Sequence, residues 1–408
     1  MKVLVLNSGS SSQKSALYEI GNAPPSGPPD PLWRAEIEWR RETAHFYVQT
    51  ASGAVLDENV SATDRGAAVE RMLQMLWRGR TAVLHNTSQI DVVGHRVVHG
   101  GHKLDDAVFV TPEVKKVIAS VAAFAPLHNR AELEGIETVE RMLGAVRQVA
   151  VFDTGFHRTL PLAAAVYPGP YEWFQQGIRR YGFHGINHQY CAERAAQLLG
   201  RELASLRLVS CHLGNGCSLA AIAGGRSMDT TMGFTPLDGL MMGTRSGSLD
   251  PGILTYLMRQ SSVTGRELDD ILNKKSGLLG ISGVSSDMRE VLAAVREGDA
   301  RARLAFEIFV HRLQQAIAAM ASSLGGVDVL TFSAGIGEHS SEVRGAACEK
   351  LGFLGIELDA HNNTSSLPDQ EISAQDSQVK VLIIRAQEDW AIARTCAKLC
   401  GSGQRNAT

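Results

Sequence analysis

Cysteine is scarce in this chain of 408 residues. Six occur, at positions 191, 211, 217, 348, 396 and 400, and none forms a Cys-x-x-Cys pair. That excludes a disulfide-stapled scaffold and leaves reduced thiols in a cytoplasmic protein as the expectation. Charge of one sign is also missing: Lys plus Arg against Asp plus Glu gives 40 − 43 = −3, so no basic field gathers nucleic acid or anionic lipid. No stretch approaches the ~18 consecutive apolar residues of a membrane span. The opening run Val3 to Leu6 is too short for the apolar region of a secretory signal. Neither nucleic acid nor a membrane is an expected partner.

Several catalytic fingerprints are absent as well. There is no G-x-x-x-x-G-K-[ST] phosphate loop, no G-x-S-x-G, no H-E-x-x-H and no H-R-D. Gly214-x-Gly216 and Gly335-x-Gly337 each lack the third glycine of a dinucleotide fingerprint. His95, His99 and His102 have no cysteine or carboxylate beside them, so they read as structural histidines before a metal site.

What is present is an ordinary globular composition, 44% hydrophobic and 20% charged, long enough at roughly 150 residues per domain for two or three domains. The patterning is mixed α/β. Apolar runs predict strands at 3–6, 15–20, 32–40, 45–50, 91–99, 148–153, 206–212, 217–223, 327–332 and 380–384. Helical spacing covers 67–77, 111–124, 128–143 and 302–324, with further helices opening at Pro251, Arg266, Ser286, Asp299 and Glu388. Asp250-Pro251 reads as N-cap plus first helical residue. The segment 21–31 holds five prolines and reads as a surface loop without function. A strand–polar turn–strand unit at Asn7 returns at His212, about 205 residues later. The expectation is a duplicated domain with a cleft between the halves.

Three polar, glycine-rich turns follow apolar strands: 7–12, 212–216 and 333–337. Such turns converge backbone N–H groups on an anion. One alone is indistinguishable from any β-turn, but three, with Lys14 beyond the first, point to nucleotide phosphates. Asn7 and Glu388 offer oxygens to Mg²⁺. Arg96 and Val98 share a strand face, a charged head-holder beside an apolar wall, suited to a short carboxylic acid. A salt-bridged surface arginine is the competing reading. Arg245 sits mid-loop, His184 lies between glycines in Tyr181-Gly-Phe-His-Gly, and Asp153 follows a strand.

The motifs Asn7-Ser-Gly-Ser-Ser-Ser with Lys14, Gly94-His-Arg-Val-Val-His-Gly, Phe152-Asp-Thr-Gly-Phe-His, Tyr181-Gly-Phe-His-Gly, His212-Leu-Gly-Asn-Gly, Thr231-Met-Gly-Phe-Thr-Pro through Gly243-Thr-Arg-Ser-Gly, and Ala334-Gly-Ile-Gly-Glu together resemble the acetate kinase family, from Met1 to about Lys398. The resemblance implies the duplicated two-domain α/β fold shared with actin, sugar kinases and heat-shock ATPases. The domains would be 1–154 (acid and Mg²⁺ side, with 388–408 packing back on it) and 155–387 (nucleotide side). It implies a homodimer, ATP/ADP as co-substrate and Mg²⁺, with Mn²⁺ as an alternative.

Carried over residue by residue, Asn7 and Glu388 would bind the metal. Ser12, Lys14 and the turn His212, Leu213, Gly214, Asn215 and Gly216 would contact ATP phosphates. Asp287, Met288 and Arg289, with Gly335, Ile336, Gly337, Glu338 and His339, would line the adenosine side. Arg96 would hold the acid, with Val98, Leu127, Phe183 and Pro236 as its apolar wall and His128 nearby. Asp153 would be the catalytic carboxylate, and His184 and Arg245 would stabilise the transition state. His339 departs from the family's usual Asn, and the proline-rich 21–31 segment is an insertion.

The implied reaction is reversible, in-line phosphoryl transfer from ATP to acetate, giving acetyl phosphate. Propionate, or more remotely butyrate, is the alternative acceptor. An actin-like ATP switch and an alcohol kinase with Asp153 as base are the readings from other classes.

Overall fold

The computed structural model describes residues 1–8, 12–21, 25, 27–39, 43–61, 64–121 and 129–403. They divide into two compact units, Met1–Gly155 with Gln387–Thr408, and Phe156–Ala386.

The first unit holds strands β1 (Lys2–Ser8), β2 (Ser12–Glu19), β3 (Trp33–Trp39), β4 (Thr43–Thr50), β5 (Val55–Ser61), β6 (Val92–Val97), β7 (Val108–Phe109) and β8 (Arg147–Phe152). They form one sheet in the order β5-β4-β3-β2-β1-β6-β8-β7. The second unit holds β9 (Arg207–Leu213), β10 (Cys217–Ala223), β11 (Arg226–Thr230), β12 (Val329–Ser333), β13 (Gln370–Glu371) and β14 (Lys380–Ile383), in the order β11-β10-β9-β12-β14-β13.

Six strands of each sheet follow one plan. β3-β2-β1 and β11-β10-β9 are antiparallel meanders. β1-β6-β8 and β9-β12-β14 are parallel, and β7 and β13 close each sheet as short antiparallel edges. This is the duplicated α/β fold that the repeated strand–turn–strand unit predicts; β4 and β5 extend the first copy. The central strands are apolar runs buried on both faces, as β1 is over Val3–Leu6, which parallel sheets covered by helices require. β4 alternates between buried and partly exposed residues, the pattern of a sheet with one wet face.

The helix Glu388–Gly403 packs on the first sheet. Trp390 meets Tyr18 with ring centroids 5.5 Å apart. A Cβ at Gly94 would lie 2.6 Å from Cys396 Sγ and 2.7 Å from Ile392. Only glycine in β6 lets this helix approach so closely.

Where the structure departs from the pattern reading, the reasons are local. Segment 333–337 is no turn: a short helix, Ala334–His339, starts directly after β12. A helix absent from the reading, Gly185–Leu199, begins immediately after His184. β5 and β11 were not expected either. Asp250 caps the helix Pro251–Gln260 through Gly252 N–H at 2.8 Å, as its position predicts. Among the described residues no helix is long and apolar enough to cross a membrane.

Candidate active site

In the first unit, parallel strands end together and carry a polar cluster. Asn7 lies near the end of β1, Arg96 near the end of β6, and Asp153 follows β8 directly. Ligands of α/β sheets gather at such carboxyl ends. Arg96 Nη2 donates to Asp153 Oδ2 at 2.7 Å, and Nη1 donates to Asn7 Oδ1 at 3.3 Å. Burial lowers the Arg96 pKa, but the Asp153 and Glu388 carboxylates more than reverse this and hold the guanidinium charged.

Asn7 Nδ2 donates in turn to Glu388 Oε2 at 3.3 Å and Asp389 Oδ1 at 3.2 Å. Asp389 escaped the sequence reading, although it is the second of two carboxylates opening the last helix. Burial lifts its carboxyl to about 6. Two carboxylates around an amide whose oxygen and nitrogen can exchange by a flip are a hard, oxygen-rich set that fits Mg²⁺. Among the described residues no group of three or more His, Cys, Asp or Glu side chains forms a ready-made cage. That suits an ion that keeps waters and phosphate oxygens as ligands.

Val98 is buried, and its N–H donates to Glu132 Oε2 at 3.0 Å. Glu132 is a second residue the sequence reading missed. It is 2% exposed, its Oε1 has no hydrogen-bond partner among the described residues, and burial pushes its carboxyl up to about 8. Lys14 projects from β2 into solvent beside Glu36, 3.6 Å away, and Ser12 opens that strand. Leu127 and His128, and residues 9–11 of the first turn, lie outside the described residues. His95 and His99 are structural here: His95 Nε2 meets Gln148 Oε1 at 2.6 Å, and Gly101 N–H donates to His99 Nδ1 at 2.9 Å. Burial lowers both to about 4.

In the second unit, β9 and β10 enclose the turn Gly214–Gly216, with His212 and Leu213 at its entry. Gly214 N–H donates to Gly216 O at 3.1 Å, and Gly243 N–H donates to Asn215 O at 3.1 Å. His184 takes the left-handed conformation, φ 56°, before its helix. This is a strained position for a non-glycine residue, of the kind that collects at functional sites. Its ring stacks on His212 with centroids 4.0 Å apart. A Cβ at Gly216 would stand 3.4 Å from His184 Nε2 and 3.7 Å from Arg245 Nη1. Imidazole and guanidinium therefore converge on this turn, and glycine leaves the space open. Arg245 Nη1 donates to Pro236 O at 2.7 Å, and burial lowers its pKa. Phe183 is fully buried.

The residues expected along the adenosine side have local duties. Asp287 caps the helix Met288–Arg296 and pairs with the exposed Arg289 at 2.5 Å, and Met288 is buried. Glu338 Oε1 accepts from Ala334 N–H at 2.9 Å and Ala386 N–H at 2.8 Å, tying the helix after β12 to the segment after β14. Gly335, Ile336, Gly337 and His339 lie in the helix Ala334–His339.

Two copies of one α/β plan, each with polar side chains gathered at its strand ends, define a duplicated α/β fold class. Within that class the chain matches the model of the Acetokinase family over residues 2–394 and belongs to that family. It is 59% identical to the acetate kinase of Trichormus variabilis over 97% of this chain and 98% of that one. It is 57% identical to the acetate kinase of Gloeobacter violaceus over 97% and 98%. The crystal structure of Porphyromonas gingivalis acetate kinase superposes with a TM-score of 0.88 at 39% identity, covering 98% of this chain and 99% of that one. A propionate kinase from Francisella tularensis also gives 0.88, at 36% identity, over 97% and 98%.

Proposed function

We propose that this protein is a carboxylate phosphotransferase that moves the γ-phosphoryl group of ATP to acetate, reversibly, giving acetyl phosphate and ADP. Full-length identity of 59% to an acetate kinase carries the reading, and the Arg96 cluster supports it chemically.

The acceptor carboxylate has a pKa of ~4–5 and is ionised at pH 7, so no base is needed. The obstacle is repulsion between two anions, and the site answers it with cations and aimed donors. Arg96, oriented by Asp153, pairs with the acid. A carboxylate oxygen attacks the γ-phosphorus in line, the new O–P bond forms, and the bond to the β-phosphate oxygen breaks with ADP leaving. Arg245 and His184 donate to the equatorial oxygens that carry the charge in transit. Lys14 and Ser12, with the 212–216 turn, hold the phosphates; Asp287–Arg289 and Gly335–His339 serve the nucleoside. Mg²⁺, held by Asn7 and Glu388, would neutralise phosphate charge. In this assignment the metal residues and Arg96 belong to the first unit and the nucleoside residues to the second.

Val98, Leu127, Phe183 and Pro236 would face the acid's tail, with His128 nearby. None of the four wall residues is polar, so acetate and propionate are told apart by size. The propionate kinase neighbour makes propionate the second reading. The helix Pro251–Gln260 buries none of its residues; Ile253 and Tyr256, three apart on one face, are exposed, as is Leu249 just before the N-cap. A second copy of this chain is the proposed cover, giving a homodimer. Six buried, unpaired cysteines support a reducing, cytoplasmic setting.

The test is to supply Mg-ATP with acetate, propionate, butyrate or glycerol and trap acyl phosphate with hydroxylamine. Acetyl hydroxamate is expected. Folded protein yielding no hydroxamate from any of the acids would refute the proposal.

A further inference from the structure

A chain of four buried or half-buried side chains runs from the interior of the second unit to His184. Ser210 Oγ on β9 is 2.9 Å from His188 Nδ1. His188 Nε2 is 2.7 Å from Ser218 Oγ on β10, and Ser218 Oγ is 2.9 Å from His184 Nδ1. His184 and His188 are one helical turn apart. Ser210, His188 and Ser218 are fully buried. From the far side of its ring, His184 presents Nε2 toward Gly216, where Arg245 Nη1 also arrives.

Proton counting makes this chain directional. The Ser218 hydroxyl has one proton and stands between two ring nitrogens, so it donates to one imidazole and accepts from the other. His188 is fully buried, which holds it neutral well below the ordinary histidine range, so it carries a single N–H. Ser210 also hydrogen-bonds the Cys191 thiol, which burial keeps protonated. A thiol sulfur is a weak acceptor and an imidazole nitrogen a good one, so Ser210 gives its proton to His188 Nδ1. His188 then carries its hydrogen on Nε2 and donates to Ser218, which donates to His184 Nδ1.

We propose that Ser218, backed by His188, is a positioning residue that fixes His184 as the Nε2–H tautomer, aiming its one N–H donor at the transferring phosphoryl group. The inference rests on the role given to His184 above. Without Ser218, His184 Nδ1 loses the hydroxyl donor that favours this tautomer, and part of the population presents a bare nitrogen where a donor is required.

The test uses the full-length protein with ¹⁵N-histidine labelling and steady-state kinetics. The wild-type His184 signals, assigned with His184→Ala, should be those of Nε2–H, and Ser218→Ala should mix the tautomers. Ser218→Ala should lower kcat about tenfold while both KM values stay within twofold. Ser218→Thr, which keeps the hydroxyl, should recover most of the loss. In a His184→Ala background, Ser218→Ala should change kcat less than twofold. A wild-type Nδ1–H spectrum overturns the proposal, as does a Ser218→Ala loss of equal size in both backgrounds, which marks a merely structural serine. If His184→Ala keeps full kcat, the role of His184 fails, and the spectrum still decides the tautomer.

Discussion

Arg96 and Asp153 lie 57 positions apart in the chain and 2.7 Å apart in the fold, with Asp153 only 1% exposed. The pair joins the ends of two adjacent parallel strands, so its geometry is set by the sheet and not by a loop. Arg96→Ala should raise the KM for acetate and also remove the guanidinium from the buried Asp153 carboxylate. Breaking a buried pair in this way costs about 3–5 kcal/mol. Urea denaturation beside acetate titrations checks both effects; a variant with unaltered stability and unaltered KM would remove Arg96 from the acid site.

Arg245→Ala should act differently. Its guanidinium is held by the Pro236 carbonyl and faces the Gly216 turn, where the proposed mechanism develops charge on the phosphoryl group. Removing one such donor costs ~10²–10³ in kcat. Kinetics with both substrates saturating will show it, and a change confined to the KM for acetate would contradict the assignment.

Acceptor size is the subject of a third measurement. Val98 is buried at the end of the Arg96 strand, and a methylene in an apolar pocket is worth ~1–3 kcal/mol, a ratio of ~10–200. Val98→Ala should shift kcat/KM toward propionate and butyrate relative to acetate. An unchanged ratio across the three acids would mean that Val98 does not meet the tail.

Glu132 gives a pH signature. Pushed up to about 8 by burial, its carboxyl is protonated in the native state at neutral pH, whereas the ordinary value is 4.5. Between those values the native state holds the extra proton, so stability falls as pH rises from 4.5 to 8. Glu132→Gln keeps an acceptor for Val98 N–H and removes the titration. Variant and wild type should be similar near pH 4.5, and the variant should gain on the order of a few kcal/mol by pH 8.5. A stability difference that is flat across that range would exclude the buried titration.

Tyr256→Asp places a charge on the exposed apolar face of the helix Pro251–Gln260. Light scattering should report a monomer for this variant and a dimer for the wild type. A wild-type monomer would leave that face without its proposed cover.

Strands such as β1, β9 and β12 are legible in the sequence because fully buried parallel strands are continuous apolar runs. The helix Gly185–Leu199 is not, because it buries Asn187 and His188 alongside Ile186 and Ala192; polar residues inside erase the apolar stripe. β5 carries Asp57-Glu58-Asn59 at its centre and buries none of its residues; it forms a strand along the backbone edge that β4 offers. The glycines at 335 and 337 suggest a turn, but the Glu338 carboxylate bonded to Ala334 N–H supports a helix. In the site, residue types and local motifs point to Arg96, His184 and Arg245. Asp389 and Glu132 carry no motif, and only the fold brings them to Asn7 and Val98.

The helix Glu388–Gly403 belongs to the first unit, yet the whole second unit is translated before it. Until that helix emerges, Asn7 lacks both carboxylate partners, and the sheet face at Gly94 stays bare. The first unit is therefore completed only when the last helix has been made, after every residue of the second unit. A chain that stalls before position 388 would carry the residues of the second unit and an Asn7 without Glu388 and Asp389 beside it.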